Sequence, residues 1–218
     1  MKKLVIIGGF GNGTVVQSTV EDINKLEKTW NVIGYLNDRE EGPINGVPVI
    51  GKIDLKTVEE LLNDPEVYFF YTLISVRFNF NFIHKLTDLN IPRERFATII
   101  HPTAVVSEFA KIGKGTCIQP FVSVGPNVTI GDHVQIFAQS LIGHGATLER
   151  YSYIANNACI GADVHLKEGA YIGTNATTLE FIKLGKWSVT GIGAVLLKDV
   201  PDYAKMVGNP AKQIGSVK

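Results

Sequence analysis

Cysteine, methionine and tryptophan are scarce in this chain of 218 residues, with two of each. The two cysteines, Cys117 and Cys159, are too few for the disulfide framework of a small secreted domain. We therefore predict that both thiols are reduced and that the protein is cytoplasmic. An excess of one charge is also missing, because 21 basic residues balance 21 acidic ones. The chain thus lacks the basic surface that binds nucleic acid, and we expect no nucleic acid among its partners.

Long hydrophobic runs are absent as well. The sequence offers nothing close to the roughly 20 consecutive apolar residues of a membrane span. The apolar run that ends at Ile7 is interrupted by Gly8 and Gly9, and no cleavage site of a signal peptide follows it. We expect the partners to be small molecules or further copies of the chain, with no membrane span.

A six-residue repeat fills the chain from residue 100 to residue 199. A large aliphatic residue recurs at nearly every sixth position, and a small or β-branched residue follows four positions later. Helices repeat their apolar face every 3.6 residues and strands every 2, so a period of six requires a short strand and a corner. Three such units close a triangular coil, and successive coils stack as parallel strands about 4.8 Å apart. The repeating column contains Ile100, Val106, Ile112, Ile118, Val124, Ile130, Ile136, Ile142, Leu148, Ile154, Ile160, Leu166, Ile172, Thr178, Leu184, Thr190 and Leu196.

Glycine follows eight positions of this column, where we expect the backbone to bend or to approach a neighbour closely. These residues are Gly113, Gly125, Gly131, Gly143, Gly161, Gly173, Gly185 and Gly191.

The first hundred residues alternate between strand and helix patterns. We predict strands at 4–7, 32–36 and 67–74, and helices from the glycine turn to about residue 28, at 55–62 and at 77–89. This alternation predicts a small parallel sheet of Rossmann-like type. The domain boundaries predicted from these patterns are 1–97 for a Rossmann-like domain and 98–218 for the β-helix domain with its tail.

A glycine-rich turn, residues 8–13, joins the first strand to the first helix. Such a turn can hold phosphates, because its backbone approaches a ligand closely and the helix N-terminus presents free N–H groups. Asp38, at the end of the second strand, is placed to accept hydrogen bonds from a ribose hydroxyl or a base. Alternatively, the glycines serve only a tight turn. Nicotinamide binding is disfavoured because the spacing departs from G-x-G-x-x-G.

The hexads beginning at Ile130 and Ile172 show the pattern aliphatic-Gly-x-x-small-x, which resembles the repeat of left-handed parallel β-helix acyltransferases. Together with the first lobe, the chain resembles bacterial sugar acetyltransferases, notably UDP-4-amino-sugar N-acetyltransferases of bacillosamine synthesis and sialic-acid O-acetyltransferases. The resemblance implies a left-handed coil, a homotrimer, and acetyl-CoA bound between adjacent prisms. It also implies that the first lobe holds a nucleotide-activated sugar.

The resemblance also assigns residues. His144 matches the catalytic histidine of the family, which suits a base that deprotonates the sugar amine. One coil is 18 residues, so Ala162 lies beside His144 in the next coil, and its N–H is the candidate donor to the oxyanion. The acetyl-CoA candidates are Gly161, Ala162, Gly191, Gly193 and Lys212. The nucleotide-sugar candidates are Gly11, Asn12 and Gly13 for the pyrophosphate, Asp38 for the nucleoside, and Arg77.

Three positions depart from the family pattern. Tyr153 and Phe137 replace a second histidine and an asparagine, and Gly145 follows His144, so the sequence names no acidic residue that orients the imidazole. His101, at the entry to the β-helix, is interpreted as structural. His84 lies on a predicted helix of the first lobe, and His133 and His165 lie elsewhere on the coil, where we expect no direct role.

Two other classes of protein and one other acceptor also fit parts of the pattern. The alternatives are transfer to a hydroxyl, a non-catalytic β-helix scaffold, and a carbonic anhydrase of the γ class. The last requires three zinc-binding histidines at a spacing that His133, His144 and His165 do not offer, so we expect no metal.

Overall fold

The computed structural model describes residues 1–74 and 81–217. The chain divides into two compact units, Met1–Pro102 and Thr103–Lys218. Across the described ranges, no helix is long and apolar enough to cross a membrane.

The first unit is built around a four-stranded parallel sheet in the order β3-β2-β1-β4. Its strands are β1 (Lys2–Ile7), β2 (Trp30–Leu36), β3 (Val49–Gly51) and β4 (Val67–Tyr71), followed by the short β5 (Ile99–Ile100). Its helices are α1 (Asn12–Leu26), α2 (Leu55–Leu62) and α3 (Asn81–Asp88), and a 3-10 turn forms at Arg93–Arg95. The direction of strand addition reverses between β1 and β4, and ligands of such sheets bind at the carboxyl ends of the strands beside this reversal.

Sequence accounts for most of this unit. Leu4 to Ile7 are all fully buried, as expected for a central parallel strand covered on both faces. Helix α2 begins where Asp54 accepts a hydrogen bond from the Thr57 N–H, at 2.8 Å.

Three details of the first unit differ from the prediction. Residues 49–51 form strand β3 within a stretch that reads as turns. The strand predicted to reach residue 74 ends at Tyr71, because its partner β1 ends at Ile7, whose carbonyl accepts hydrogen bonds from both the N–H and the hydroxyl of Thr72. The helix predicted at 77–89 is seen at Asn81–Asp88, and its predicted start lies outside the described residues.

The second unit is a parallel β-helix made of two-residue strands. Its strands are β6 (Val105–Val106), β7 (Lys111–Ile112), β8 (Cys117–Ile118), β9 (Ser123–Val124), β10 (Thr129–Ile130), β11 (Gln135–Ile136), β12 (Leu141–Ile142), β13 (Thr147–Leu148), β14 (Tyr153–Ile154), β15 (Cys159–Ile160), β16 (His165–Leu166), β17 (Tyr171–Ile172), β18 (Thr177–Thr178), β19 (Lys183–Leu184), β20 (Val189–Thr190), β21 (Val195–Leu196), β22 (Ala204–Val207) and β23 (Lys212–Ser216). From β5 to β21, every strand ends on a residue of the predicted column. The period therefore predicted the short strands and, from Ile118 onward, their buried residues.

Three sheets form the sides of the prism. Within residues 103–217, sheet I contains β7, β10, β13, β16 and β19; sheet II contains β8, β11, β14, β17, β20, β22 and β23; sheet III contains β6, β9, β12, β15, β18 and β21. Residues 18 apart pair across neighbouring coils, as Leu141 pairs with Cys159. From Ile118 onward the column residues fill the interior, where Ile136, Leu148 and Ile154 have no exposed surface.

The repeat glycines have one of the two roles that were predicted. A Cβ on Gly143 would lie 2.7 Å from the Ala162 nitrogen, and one on Gly131 would lie 2.6 Å from the Arg150 nitrogen. These glycines therefore permit close approach of the next coil. The bend occurs two residues later, where φ is positive at residues such as Asn157 (57°) and Asp163 (56°).

The repeat ends in a hairpin that the sequence pattern did not predict. β22 pairs in parallel with β20, and β23 then runs antiparallel to β22. The six-residue period stops at Leu196, so no periodic signal predicted these two strands.

Candidate active site

His144 lies in the turn that leads from β12 in sheet III to β13 in sheet I. Two backbone hydrogen bonds hold this turn on the next coil: Gly143 N–H donates to the carbonyl of Ile160, and Asp163 N–H donates to the carbonyl of His144, both at 2.9 Å. The imidazole itself is 65% exposed. The backbone of the turn is therefore held in place by hydrogen bonds, while the imidazole of His144 is exposed to solvent.

The backbone N–H of Ala162 lies directly beside this turn. Among the described residues, no acceptor takes a hydrogen bond from it. At three other turns the equivalent N–H binds a carboxylate oxygen: Lys114 donates to Asp132, Glu168 to Glu149, and Lys186 to Asp202, at 2.8–2.9 Å. The Ala162 N–H is therefore a donor of a kind that binds anionic oxygen elsewhere in the same molecule.

The N–H groups of the other predicted backbone candidates serve the fold. Gly161 N–H donates to the hydroxyl of Thr178 at 2.9 Å. Gly191 and Gly193 donate to the carbonyls of Met206 and Thr174, at 2.8 and 2.9 Å. Any contact that these three glycines make with a ligand must use their carbonyls or the space that the missing side chains leave.

The structure does not bring all predicted acetyl-CoA residues together within one chain. His144, Gly161 and Ala162 share the corner between sheets III and I. Gly191 and Gly193 lie at the corner between sheets II and III, and Lys212 is exposed at the start of β23.

Asp163 is a charged neighbour of His144 that sequence reasoning missed. Its Oδ2 lies 3.9 Å from His144 Nδ1. The signal was the coil length, because residue 163 follows the position stacked on His144.

Phe137 and Tyr153, the two residues of sheet II that depart from the family pattern, contact each other. The rings of Phe137 and Tyr153 are 4.7 Å apart, and Tyr153 stacks on Tyr171 at 5.1 Å. One aromatic ladder thus takes the place of two polar side chains, and it lies on another side of the prism from the His144 turn of the same chain.

In the first unit, the glycines of the turn after β1 divide into two groups. The space beside Gly8 and Gly9 is taken by Thr72 and Asn37, whose atoms lie 2.0 and 2.3 Å from an added Cβ. Gly13 is buried and packs on Tyr35. Gly11 alone of these four has a Cβ direction with nothing within 4 Å, and its φ of +88° favours glycine.

The N-terminus of α1 opens at this loop. Gly11 occupies the cap position without a side-chain cap, and the first turn has no acidic residue. No described residue accepts from the N–H groups of Asn12, Gly13 or Thr14. A helix end with free N–H groups attracts anions.

Asp38 follows β2 at the same edge of the sheet. Its Oδ1 accepts from the Ile53 N–H at 2.9 Å, and its Oδ2 pairs with Lys85 of α3. Burial raises the pKa of Asp38, but the hydrogen bonds from Lys85 and Ile53 outweigh it, so the pKa lies below its ordinary value. Lys85 thus adds a cation to the predicted nucleotide site. Arg77 lies outside the described residues.

The other histidines have other surroundings. His101 is buried and pairs with Asp22 at 3.2 Å, His165 pairs with Glu149 at 2.7 Å, and His133 stacks on Tyr151. Within residues 1–74 and 81–217, no cluster of three potential metal ligands occurs.

Comparison with known proteins matches both halves of the chain. Residues 3–72 match the family model of the PglD N-terminal domain, and residues 127–162 match that of the bacterial transferase hexapeptide (six repeats). Serine acetyltransferase 4 of Arabidopsis thaliana is 35% identical over 126 residues, which are 57% of this chain and 31% of that protein. The chain spans less than half the length of the curated relatives it matches.

Solved structures of other proteins resemble nearly the whole chain. The acetyltransferase domain of PglB from Neisseria gonorrhoeae, in complex with acetyl coenzyme A, is 27% identical, with a TM-score of 0.64 and coverage of 98% and 99% of the two chains. PerB from Caulobacter crescentus, in complex with CoA and GDP-perosamine, is 25% identical, with a TM-score of 0.66 and coverage of 99% and 98%.

The fold and these matches define the class as a left-handed parallel β-helix of hexapeptide repeats preceded by a Rossmann-like lobe, which is similar to that of known acetyltransferases. Within that class, the chain resembles the sugar acetyltransferases that combine a PglD-type N-terminal domain with hexapeptide repeats. The predictions of fold and family resemblance are confirmed.

Proposed function

We propose that the protein transfers the acetyl group of acetyl-CoA to the amine of a nucleotide-linked amino sugar, of the 4-amino-4,6-dideoxyhexose type, for surface glycan synthesis. The observation that carries this proposal is the pairing of His144 with the Ala162 N–H on adjacent coils. A base and an oxyanion donor are the two groups that acyl transfer to an amine requires.

The proposed reaction balances with these two groups and the substrates. The sugar nitrogen attacks the thioester carbonyl while its proton passes to the imidazole of His144. The carbonyl oxygen becomes an oxyanion that accepts a hydrogen bond from the Ala162 N–H. The carbon–sulfur bond then breaks, and the proton returns to the CoA sulfur as the free thiol leaves.

Features of the first unit support binding of the nucleotide part of the sugar substrate. The N–H groups at the start of α1 suit a pyrophosphate, and the open side of Gly11 leaves room for it. Asp38 supplies a carboxylate for the nucleoside, and Lys85 supplies a charge that a phosphate would attract. Arg77 stays a prediction.

A shared site would reconcile the separated acetyl-CoA residues. Gly191, Gly193 and Lys212 lie away from the His144 corner of their own chain, which suits a homotrimer with acetyl-CoA bound between adjacent prisms. The cytoplasmic location also stays a prediction.

The proposal is tested by release of free CoA thiol from acetyl-CoA with UDP-, dTDP- and GDP-linked 4-amino sugars, with sialic acid as the hydroxyl acceptor. Turnover with one nucleotide series, and a product that carries the acetyl group on nitrogen, is the expected result. Turnover with sialic acid alone would replace the amine by a hydroxyl. If none of these acceptors supports thiol release, the proposed function is contradicted.

The nucleotide site has its own matched test. Gly11→Ala places a side chain in a positive-φ position at the open edge of the loop, and we expect a loss of nucleotide-sugar affinity of about tenfold or more. Gly46→Ala is the control, because Gly46 also has a positive φ (+80°) and nothing within 4 Å of its Cβ direction. Equal affinity loss in both variants would argue against a site at Gly11.

A further inference from the structure

We propose that Asp163 is the positioning residue of His144, an inference that rests on the proposed function. The two residues belong to consecutive coils, and the Asp163 N–H already donates to the His144 carbonyl at 2.9 Å. The carboxylate is then 3.9 Å from Nδ1 of the imidazole. This backbone hydrogen bond therefore holds the main chains of Asp163 and His144 next to each other, which keeps their side chains close.

Gly145 creates the space that the Asp163 carboxylate occupies. A Cβ on Gly145 would lie 2.1 Å from Asp163 Oδ1, so any side chain at position 145 would collide with the carboxylate. Gly145 also has a φ of +69°, which favours glycine. The glycine that follows His144 therefore leaves room for an acidic group that arrives from the next coil.

Asp163 is distinctive among the turn residues with positive φ. In the described turns, this conformation is held by residues such as Asn127, Asn157 and Asn175, and Asp163 is the one carboxylate among them. Its carboxylate is also placed differently from those of Asp132 and Asp202, which accept from backbone N–H groups. Within the described part of the chain, its one recorded charged partner is His144.

The chemistry of the pair follows from this placement. A carboxylate beside Nδ1 favours the neutral imidazole that carries its proton on Nδ1, which leaves Nε2 free to take a proton. At 3.9 Å the contact is electrostatic, and catalytic hydrogen bonds of this kind often shorten when substrate binds. Asp163 would then act through His144 without touching the substrate.

The direct test is the tautomer of His144 in the full chain, measured by nitrogen NMR of protein labelled at histidine, at about pH 9, where free histidine is neutral. A His144→Gln spectrum assigns the signals. We expect the Nδ1-protonated form to predominate in the wild type and to decline severalfold in Asp163→Asn and Asp163→Gly. Both replacements suit the backbone, because Asn and Gly hold the same turn position elsewhere in the repeat.

Kinetics supply a second readout. Asp163→Asn should lower kcat about fivefold or more, the factor expected for one charge contact near 4 Å at an exposed position, with little change in the KM for acetyl-CoA. Glu108→Gln is the matched control, because Glu108 is exposed at the same edge of the prism, two coils before His144. An unchanged tautomer ratio in both Asp163 variants would overturn the proposal, whatever happens to the rate. A wild type without any turnover would refute only the proposed function, since the tautomer measurement needs no substrate.

Discussion

Gly143→Ala should lower both the stability of the protein and the rate of catalysis at the His144 turn, and a control variant distinguishes the two effects. An added Cβ would lie 2.7 Å from the Ala162 nitrogen and 2.7 Å from the Gly161 carbonyl carbon. Ordinary contacts of a Cβ begin at 3.4 Å, so the two coils must separate locally by 3.4 − 2.7, or about 0.7 Å. Overpacking of this kind costs about 1–3 kcal/mol of unfolding free energy.

The same displacement moves the Ala162 N–H relative to His144. A misplacement near 1 Å in an active site can cost 10²-fold in rate, so we expect kcat to fall by roughly 10- to 100-fold. Thiol release at saturating substrates measures kcat, and a circular dichroism melt measures the stability loss.

Gly131→Ala is the control for this prediction. Its Cβ would meet the Arg150 nitrogen at 2.6 Å, which is nearly the same clash, at the corner between sheets I and II. Its Tm should fall by a similar few degrees while kcat stays within about twofold of the wild type. Equal loss of kcat in both variants, or no loss in Gly143→Ala, would refute the reasoning.

Two further predictions concern stability. Burial raises the pKa of Glu168, but hydrogen bonds from Lys186 and Arg150 outweigh it and hold the pKa below its ordinary value. This stabilisation is present above the unfolded pKa of about 4.3 and is lost as the pH falls through the folded pKa. Glu168→Gln should therefore lower the free energy of unfolding by about 1–2 kcal/mol at pH 7 and weaken the decline of Tm in melts from pH 7 to pH 3. Identical pH profiles of the variant and the wild type would contradict this. Burial, and then the charge of Glu21, raises the pKa of Tyr35 to about 12, and its buried hydroxyl donates to Gln17 at 2.7 Å. Tyr35→Phe should therefore cost about 1 kcal/mol in urea unfolding, and an unchanged midpoint would contradict the importance of that bond.

The period of six was sufficient to predict the β-helix in detail. It predicted the strands that end at Ile100 to Leu196 and the stacking of Ala162 beside His144. It could not predict β22 and β23, because they have no period. The local pattern also did not indicate that Val49–Gly51 joins the sheet, since its neighbours Gly46 and Pro48 indicate turns.

The candidate site was predicted less completely, because contacts across coils depend on residues that are far apart in sequence. Asp163 is 19 positions from His144 and reaches it only because Gly145 has no side chain. Phe137 and Tyr153 look like two separate departures in sequence, yet their rings are in contact. Likewise, the pairing of Lys85 with Asp38 joins α3 to the end of β2, which no local pattern indicates.

The most direct test of the account is thiol release from acetyl-CoA by the wild type and by His144→Ala, with acetyl-CoA affinity measured alongside by calorimetry. His165→Ala is the control histidine, since His165 lies on sheet I and pairs with Glu149. If His144 is the base, its removal should lower kcat by about 10²-fold or more and leave acetyl-CoA affinity nearly unchanged. Turnover by His144→Ala at the rate of the wild type would contradict the claim that acyl transfer occurs at this turn.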